Sequence, residues 1–168
     1  YFYGKGGTYA YGIQSINNAV LEAENIIAKG EDGSSKNAGL YKEASASKVR
    51  NSSFSGLGGT STWGIYNYGS SSTLTAENSS AMGKNGSNYN YGLAIEAGSF
   101  ASLSDGTIRG DGGNFASGIS SYGDGSTLRA ENLSILGING TSSTYGLINA
   151  DNAGSYITLS LIQGSSYS

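Results

Sequence analysis

Three glutamates recur in one five-residue phrase, Leu-x-Ala-Glu-Asn. They are Glu24, Glu77 and Glu131, in phrases opening at Leu21, Leu74 and Leu128 and spaced by 53 and 54 residues. Carboxylates repeated on alternate layers are raw material for glycoside cleavage, in which two carboxyls flank the bond to be broken. At twice a strand spacing these three would lie about 10 Å apart. Asp105 falls one position off the same column, between Glu77 and Glu131, and would complete such a pair. Other catalytic sets are excluded by composition. The chain has no His and no Cys, so Ser-His-Asp and Cys-His mechanisms, imidazole or thiolate metal sites and disulfides are all impossible. An outward Glu on a strand ordinarily belongs to a solvated face. The chain therefore reads as non-enzymatic, with no catalytic, cofactor-binding or metal residues and no cofactor.

The remaining candidates are binding and structural. Asn25, Asn78 and Asn132 follow the three glutamates and read as a ladder of stacked side-chain amides at a turn. Tyr11, Trp63, Tyr91 and Tyr145 each precede a Gly-Ile/Leu pair, with Ala38 and Ser117 interrupting the column. Strand parity counted back from the aliphatic turns them inward or to a corner, where they would seal the core. Exposed, they would form a rail for stacking on sugars or on another subunit. Gly110-Asp111-Gly112-Gly113 and Gly123-Asp124-Gly125 resemble calcium-binding roll repeats but lack the nine-residue recurrence, and read as turns. Thr73 and Thr127 align without an adjacent Thr column, which argues against an ice-binding face. The five Asn-x-Ser/Thr matches, at Asn51, Asn78, Asn85, Asn132 and Asn139, are what chance gives in so Ser-rich a chain.

The elements that must position these residues come from the repeat. Gly12-Ile13, Gly39-Leu40, Gly64-Ile65, Gly92-Leu93, Gly118-Ile119 and Gly146-Leu147 recur every 25 to 28 residues. A second glycine series, Gly30, Gly56, Gly83, Gly110, Gly137 and Gly164, recurs every 26 or 27. Aligned on these markers, three apolar columns emerge. They are the Ile/Leu of each pair; Leu21, Val49, Leu74, Leu103, Leu128 and Ile157; and Ala28, Phe54, Ala81, Ile108, Ile135 and Ile162. Three inward segments per coil, with Gly, Ser, Asn and Asp between them, define an all-β right-handed parallel β-helix of about six coils of ~27 residues. Residues 16–29 look locally helical, but their place in the strand columns overrides that propensity. One coil cannot offset its own chain entropy, so it depends on its neighbours.

The second-column aliphatic precedes the marker Gly by nine residues in coils of the Leu-x-Ala-Glu-Asn type and by seven in the others. The unit therefore reads as a long and a short coil, present at residues 11–62, 63–116 and 117–168 of a single domain, with 1–10 ending a preceding coil. Both ends share nearly one phase and carry no capping repeat. A segment of a longer solenoid and a subunit stacking head to tail both fit that pattern, the latter a non-closing contact that builds filaments.

Composition narrows the setting. The net charge of −3 and scattered basic residues argue against nucleic acid, and no apolar run is long enough to insert in a membrane. Thirteen Tyr, no Pro and only 12% charged residues favour order over disorder. A Ser/Gly/Asn/Thr-rich, Cys-free surface suits an extracellular or cell-surface location.

Repeated Tyr-Gly-Ile/Leu (Tyr11, Tyr91, Tyr145), Ser-Thr-Leu (Leu74, Leu128) and Gly-x-x-Gly turns (Gly83 to Gly86, Gly137 to Gly140) run over essentially the whole chain. In these it resembles the pectin-lyase-like β-helix of bacterial autotransporter passengers and adhesins. The resemblance implies an extracellular, usually non-enzymatic rod and carries over no catalytic or receptor-binding residue. The expectation is a rigid structural solenoid, serving as filament subunit, stalk or adhesin segment and self-associating through its ends. The alternative is a carbohydrate-binding or polysaccharide-cleaving β-helix with surface glycans as partners.

Overall fold

Short alternating segments bounded by Gly, Ser and Asn corners form seventeen strands among the described residues, which contain no helix. The computed structural model describes residues 1–158 and 161–165. The first strands are β1 (Phe2–Lys5), β2 (Tyr9–Ile16), β3 (Val20–Glu24), β4 (Ile27–Glu31), β5 (Lys36–Glu43) and β6 (Ala46–Arg50). There follow β7 (Ser53–Leu57), β8 (Ser61–Tyr68), β9 (Thr73–Glu77), β10 (Ser80–Lys84) and β11 (Tyr89–Glu96). The chain continues through β12 (Phe100–Asp111), β13 (Phe115–Tyr122), β14 (Thr127–Ile138), β15 (Ser143–Ala150), β16 (Gly154–Thr158) and β17 (Leu161–Ser165). The segment with helical propensity runs from the end of β2 through β3 into β4, with turns at 17–19 and 25–26, as its column alignment requires.

Every pairing is parallel and joins residues one coil apart. The chain is thus an all-β parallel solenoid of about six turns. One face is a six-stranded sheet, β2-β5-β8-β11-β13-β15. Two further faces, β3-β6-β9 and β1-β4-β7-β10, merge into one sheet because β12 and β14 run through the corner between them without a break. At that corner Asn25, Asn51, Asn78, Asp105 and Asn132 all adopt φ between 46° and 56°. Asn and Asp tolerate this left-handed conformation better than other side chains bearing a Cβ, which accounts for their recurrence there.

Two apolar columns hold their expected register. Ile13, Leu40, Ile65, Leu93, Ile119 and Leu147 stand one above another, as do Ala28, Phe54, Ala81, Ile108, Ile135 and Ile162. The remaining column is in fact two. Leu21, Ser47, Leu74, Ala101, Leu128 and Ser155 share one line; Ala23, Val49, Ala76, Leu103, Ala130 and Ile157 share the next inward line. The seven- and nine-residue offsets therefore do not come from a difference in length between these strands and the marker glycine. Each coil offers two inward positions two residues apart, and a large residue at one accompanies a small residue at the other. The places swap from coil to coil, so each layer fills the same cross-section while, in these two lines, large side chains do not stack directly on one another.

The glycine columns explain how thin the coil is. A Cβ at Gly83 would collide with the carbonyl oxygens of Tyr91 and Thr62, and one at Gly64 with the amide of Met82 and with Ala81. Here the six-stranded sheet and the β1-β4-β7-β10 face meet backbone to backbone, with no room for any side chain.

Candidate functional site

The outer surface of the six-stranded sheet is a lattice set by register. One column is Tyr9, Lys36, Ser61, Tyr89, Phe115 and Ser143; the next is Tyr11, Ala38, Trp63, Tyr91, Ser117 and Tyr145. A third holds Gln14, Tyr41, Tyr66, Ala94, Ser120 and Ile148, and a fourth Ile16, Glu43, Tyr68, Glu96, Tyr122 and Ala150. Tyr11, Trp63, Tyr91 and Tyr145 thus share one column, but it faces outward. The cause is the glycine. Gly and the following Ile or Leu both turn toward the interior, so the alternation breaks and the residue before Gly lands on the opposite face. Trp63 and the partly buried Tyr11 and Tyr91 pack with Ala38, Ala94, Tyr41 and Tyr66 in a cluster separate from the interior core. Tyr145 is 46% exposed and Trp63 only 7%.

The rings stack along the solenoid axis. Tyr11 and Tyr41 have centroids 4.6 Å apart, Tyr41 and Tyr66 5.4 Å, and Trp63 leans on Tyr66 at 4.9 Å. Lys36 Nζ lies 5.9 Å from the Trp63 ring centroid. Two phenols end on carboxylates: Tyr41 donates to Glu43 at 3.0 Å and Tyr66 to Glu96 at 2.8 Å. Burial, and then the neighbouring Glu43 and Glu96, hold the Tyr41 and Tyr66 phenols protonated far above the ordinary range. Burial and nearby Tyr89 push Tyr91 up to about 12. Beside the stack is an open hollow of about 280 Å³ lined by Trp63, Tyr89, Tyr91, Glu96, Ser120 and Tyr122.

The carboxylate column has a different environment. Glu24, Arg50, Glu77, Ser104 and Glu131 form one register line, and Arg50 Nε contacts Glu77 at 3.0 Å in an exposed pair. Asp105 sits one residue on, at the left-handed corner, and accepts from Asn132 Nδ2 at 2.6 Å. The corner amides link successive coils: Asn78 donates to Asn51 at 2.8 Å, and Asn51 to Glu24 at 3.1 Å. Asn25 lies at the same corner, its amide N–H donating to Arg50 O at 3.1 Å. Asn51 and Asp105 thus fill the coils between Asn25, Asn78 and Asn132. Asp111, in one of the Gly-Asp segments, accepts from Arg109 at 2.7 Å and Asn139 at 2.7 Å, and Lys84 lies at 3.3 Å. Burial opposes its ionisation, but the Asn139 and Arg109 hydrogen bonds and the Arg109 charge outweigh that and hold its carboxyl below the usual range. Among the described residues no group of three or more carboxylates is placed to hold a metal ion.

One further group carries a signal legible in the sequence. Lys42 lies two residues beyond inward-facing Leu40, hence on the same face. It is fully buried, and its Nζ meets Ser45 O at 2.9 Å, Thr73 O at 3.0 Å, Ser72 Oγ at 3.1 Å and Asn67 Oδ1 at 3.2 Å. No carboxylate is among these partners, and burial lowers its pKa to about 8.

The chain shows no significant match to any protein-family model, curated protein or solved structure.

Proposed function

We propose that this chain is a non-enzymatic, rigid structural solenoid of the pectin-lyase-like type found in bacterial autotransporter passengers and adhesins. In this reading it works outside the cell or on its surface, as filament subunit, stalk or adhesin segment, and copies stack end to end. One observation carries the reading. The first coil pairs large Leu21 with small Ala23, and the sixth pairs small Ser155 with large Ile157. A second copy placed on the sixth coil would set Leu21 over Ser155 and Ala23 over Ile157, so the size alternation would run across the junction in phase; its Ala28 would then lie over Ile162, so that β17 takes the place that β1 holds beside β4 within one copy. Phe2, 47% exposed, and Ile162, 41% exposed, belong to one interior column, and in the stack Ile162 would bury its apolar surface under Ala28 in place of Phe2. The strand edges of β2, β3, β15 and β16 each have one partner strand among the described residues, leaving a face for ladder hydrogen bonds.

Sedimentation velocity and negative-stain electron microscopy over a concentration series test this. Linear oligomers that lengthen with concentration are expected. Leu21→Arg and Ile157→Arg should each arrest growth, and a mixture of the two should stop at dimers, because each variant keeps one competent end. Monodisperse monomer at every concentration would sink the stacking reading.

A further inference from the structure

The hollow beside the ring stack lies where the protein stops filling its own lattice. In coils two and three the third outer column holds Tyr41 and Tyr66, whose rings stack and whose hydroxyls reach Glu43 and Glu96. In coils four and five the same column holds Ala94 and Ser120. Trp63 and Tyr91 stay in place on one side, Glu96 and Tyr122 on the other, and the space over Ser120 is left open at about 280 Å³. The two tyrosines show what this lattice position accepts: a six-membered ring with apolar faces and a hydroxyl aimed at a carboxylate.

We propose that the hollow binds one neutral pyranose ring of a glycan. A pyranose has apolar C–H faces for the walls of Trp63 and Tyr91 and a rim of hydroxyls for Glu96, Ser120 and the phenols of Tyr89 and Tyr122. A phenyl or phenol side chain would cover the walls but leave most of these polar groups without a partner. The charge fixes the class further. The lining holds a carboxylate and no Lys or Arg, so acidic sugars are repelled and neutral ones accepted. The site lies on the side of the solenoid, away from both end faces, and does not depend on the rod reading; a failure of end-to-end growth leaves it untouched.

Trp63 is the chain's one tryptophan and forms a wall of the hollow, so its emission reports occupancy. The intact chain is titrated with methyl β-glucopyranoside, methyl α-mannopyranoside, methyl β-galactopyranoside and methyl β-glucuronide, each into the tens of millimolar. p-Cresol and tetramethylammonium chloride serve as a planar and a cationic probe, and saturation-transfer NMR reads the same sugars independently. The expected result is a saturable response to at least one neutral glycoside and a response at least about ten-fold weaker to the glucuronide. Ser120→Tyr, which supplies the protein's own ring as coils two and three do, should abolish it. Glu96→Gln should weaken it about ten-fold or more. If Ser120→Tyr does not fold, as judged by circular dichroism, Tyr91→Ala takes its place with the same expected loss. Silence toward every neutral glycoside overturns the proposal, as does a response that survives these variants or one confined to p-cresol or tetramethylammonium.

Discussion

A lysine ammonium with no carboxylate beside it is costly inside a protein, and Lys42 is held by carbonyl, amide and hydroxyl oxygens alone. Its folded pKa of about 8 lies below the unfolded value of 10.5. Between these limits the unfolded chain binds more protons than the folded one, so stability rises with pH. That increment is complete above 10.5 and lost as pH falls through 8. Chemical denaturation at pH 7 and pH 9.5 should show the wild type gaining about 1–2 kcal/mol relative to Lys42→Met over that interval. A pH-independent difference between the two proteins would show that the ammonium is better solvated than its burial implies. At the outer corner, Asn78 combines φ 46° with a hydrogen bond to Asn51. Asn78→Ala should cost about 1–2 kcal/mol, whereas Asn78→Gly, free to adopt positive φ, should cost about half as much; thermal melts compare them.

Strands in this solenoid are matched to their neighbours above and below by side-chain volume. Leu74 lies between Ser47 and Ala101, and Ala76 between Val49 and Leu103. Leu74→Ala should cost about 2–5 kcal/mol through the cavity it leaves. The double change Leu74→Ala with Ala76→Leu restores the volume of β9 but aligns three large residues in one line and three small in the next. It should be no more stable than the single variant in a urea melt. A double variant near wild-type stability would mean that coil volume alone matters and column position does not. Phase, in this sense, was only half legible in the sequence. The seven- and nine-residue offsets were visible, but they have two sources, an extra pair of residues or an exchange of places, and only the register separates these.

The whole molecule behaves as a stack in which each coil contacts its two neighbours. The size alternation makes the two-coil unit the smallest piece removable without disturbing the rest. Deleting residues 74–100 brings Ser47 beside Ala101 and Val49 beside Leu103, small on small and large on large. Deleting residues 47–100 instead brings Leu21 beside Ala101 and Ala23 beside Leu103, which keeps the alternation. The shorter protein should therefore have the higher denaturation midpoint and the sharper transition, measured by circular dichroism in urea. The opposite order would follow if stability simply summed over the number of coils.

The repeat, the three strands per coil, two of the apolar columns and both glycine columns were readable from the chain alone. They are consequences of periodicity: residues one coil apart must stack in register, and only glycine fits where two backbones touch. What the tertiary structure decided was direction. Counting alternately from Ile65 or Leu93 turns Trp63 and Tyr91 toward the core, yet Gly64 and Gly92 absorb an extra inward step and leave the rings outside. Whether such a glycine continues the alternation or breaks it depends on how closely the opposite sheet approaches, here the backbone at Met82 and Arg109. That approach is set by chain distant in sequence. It turned a presumed core seal into an aromatic outer face with one unfilled position.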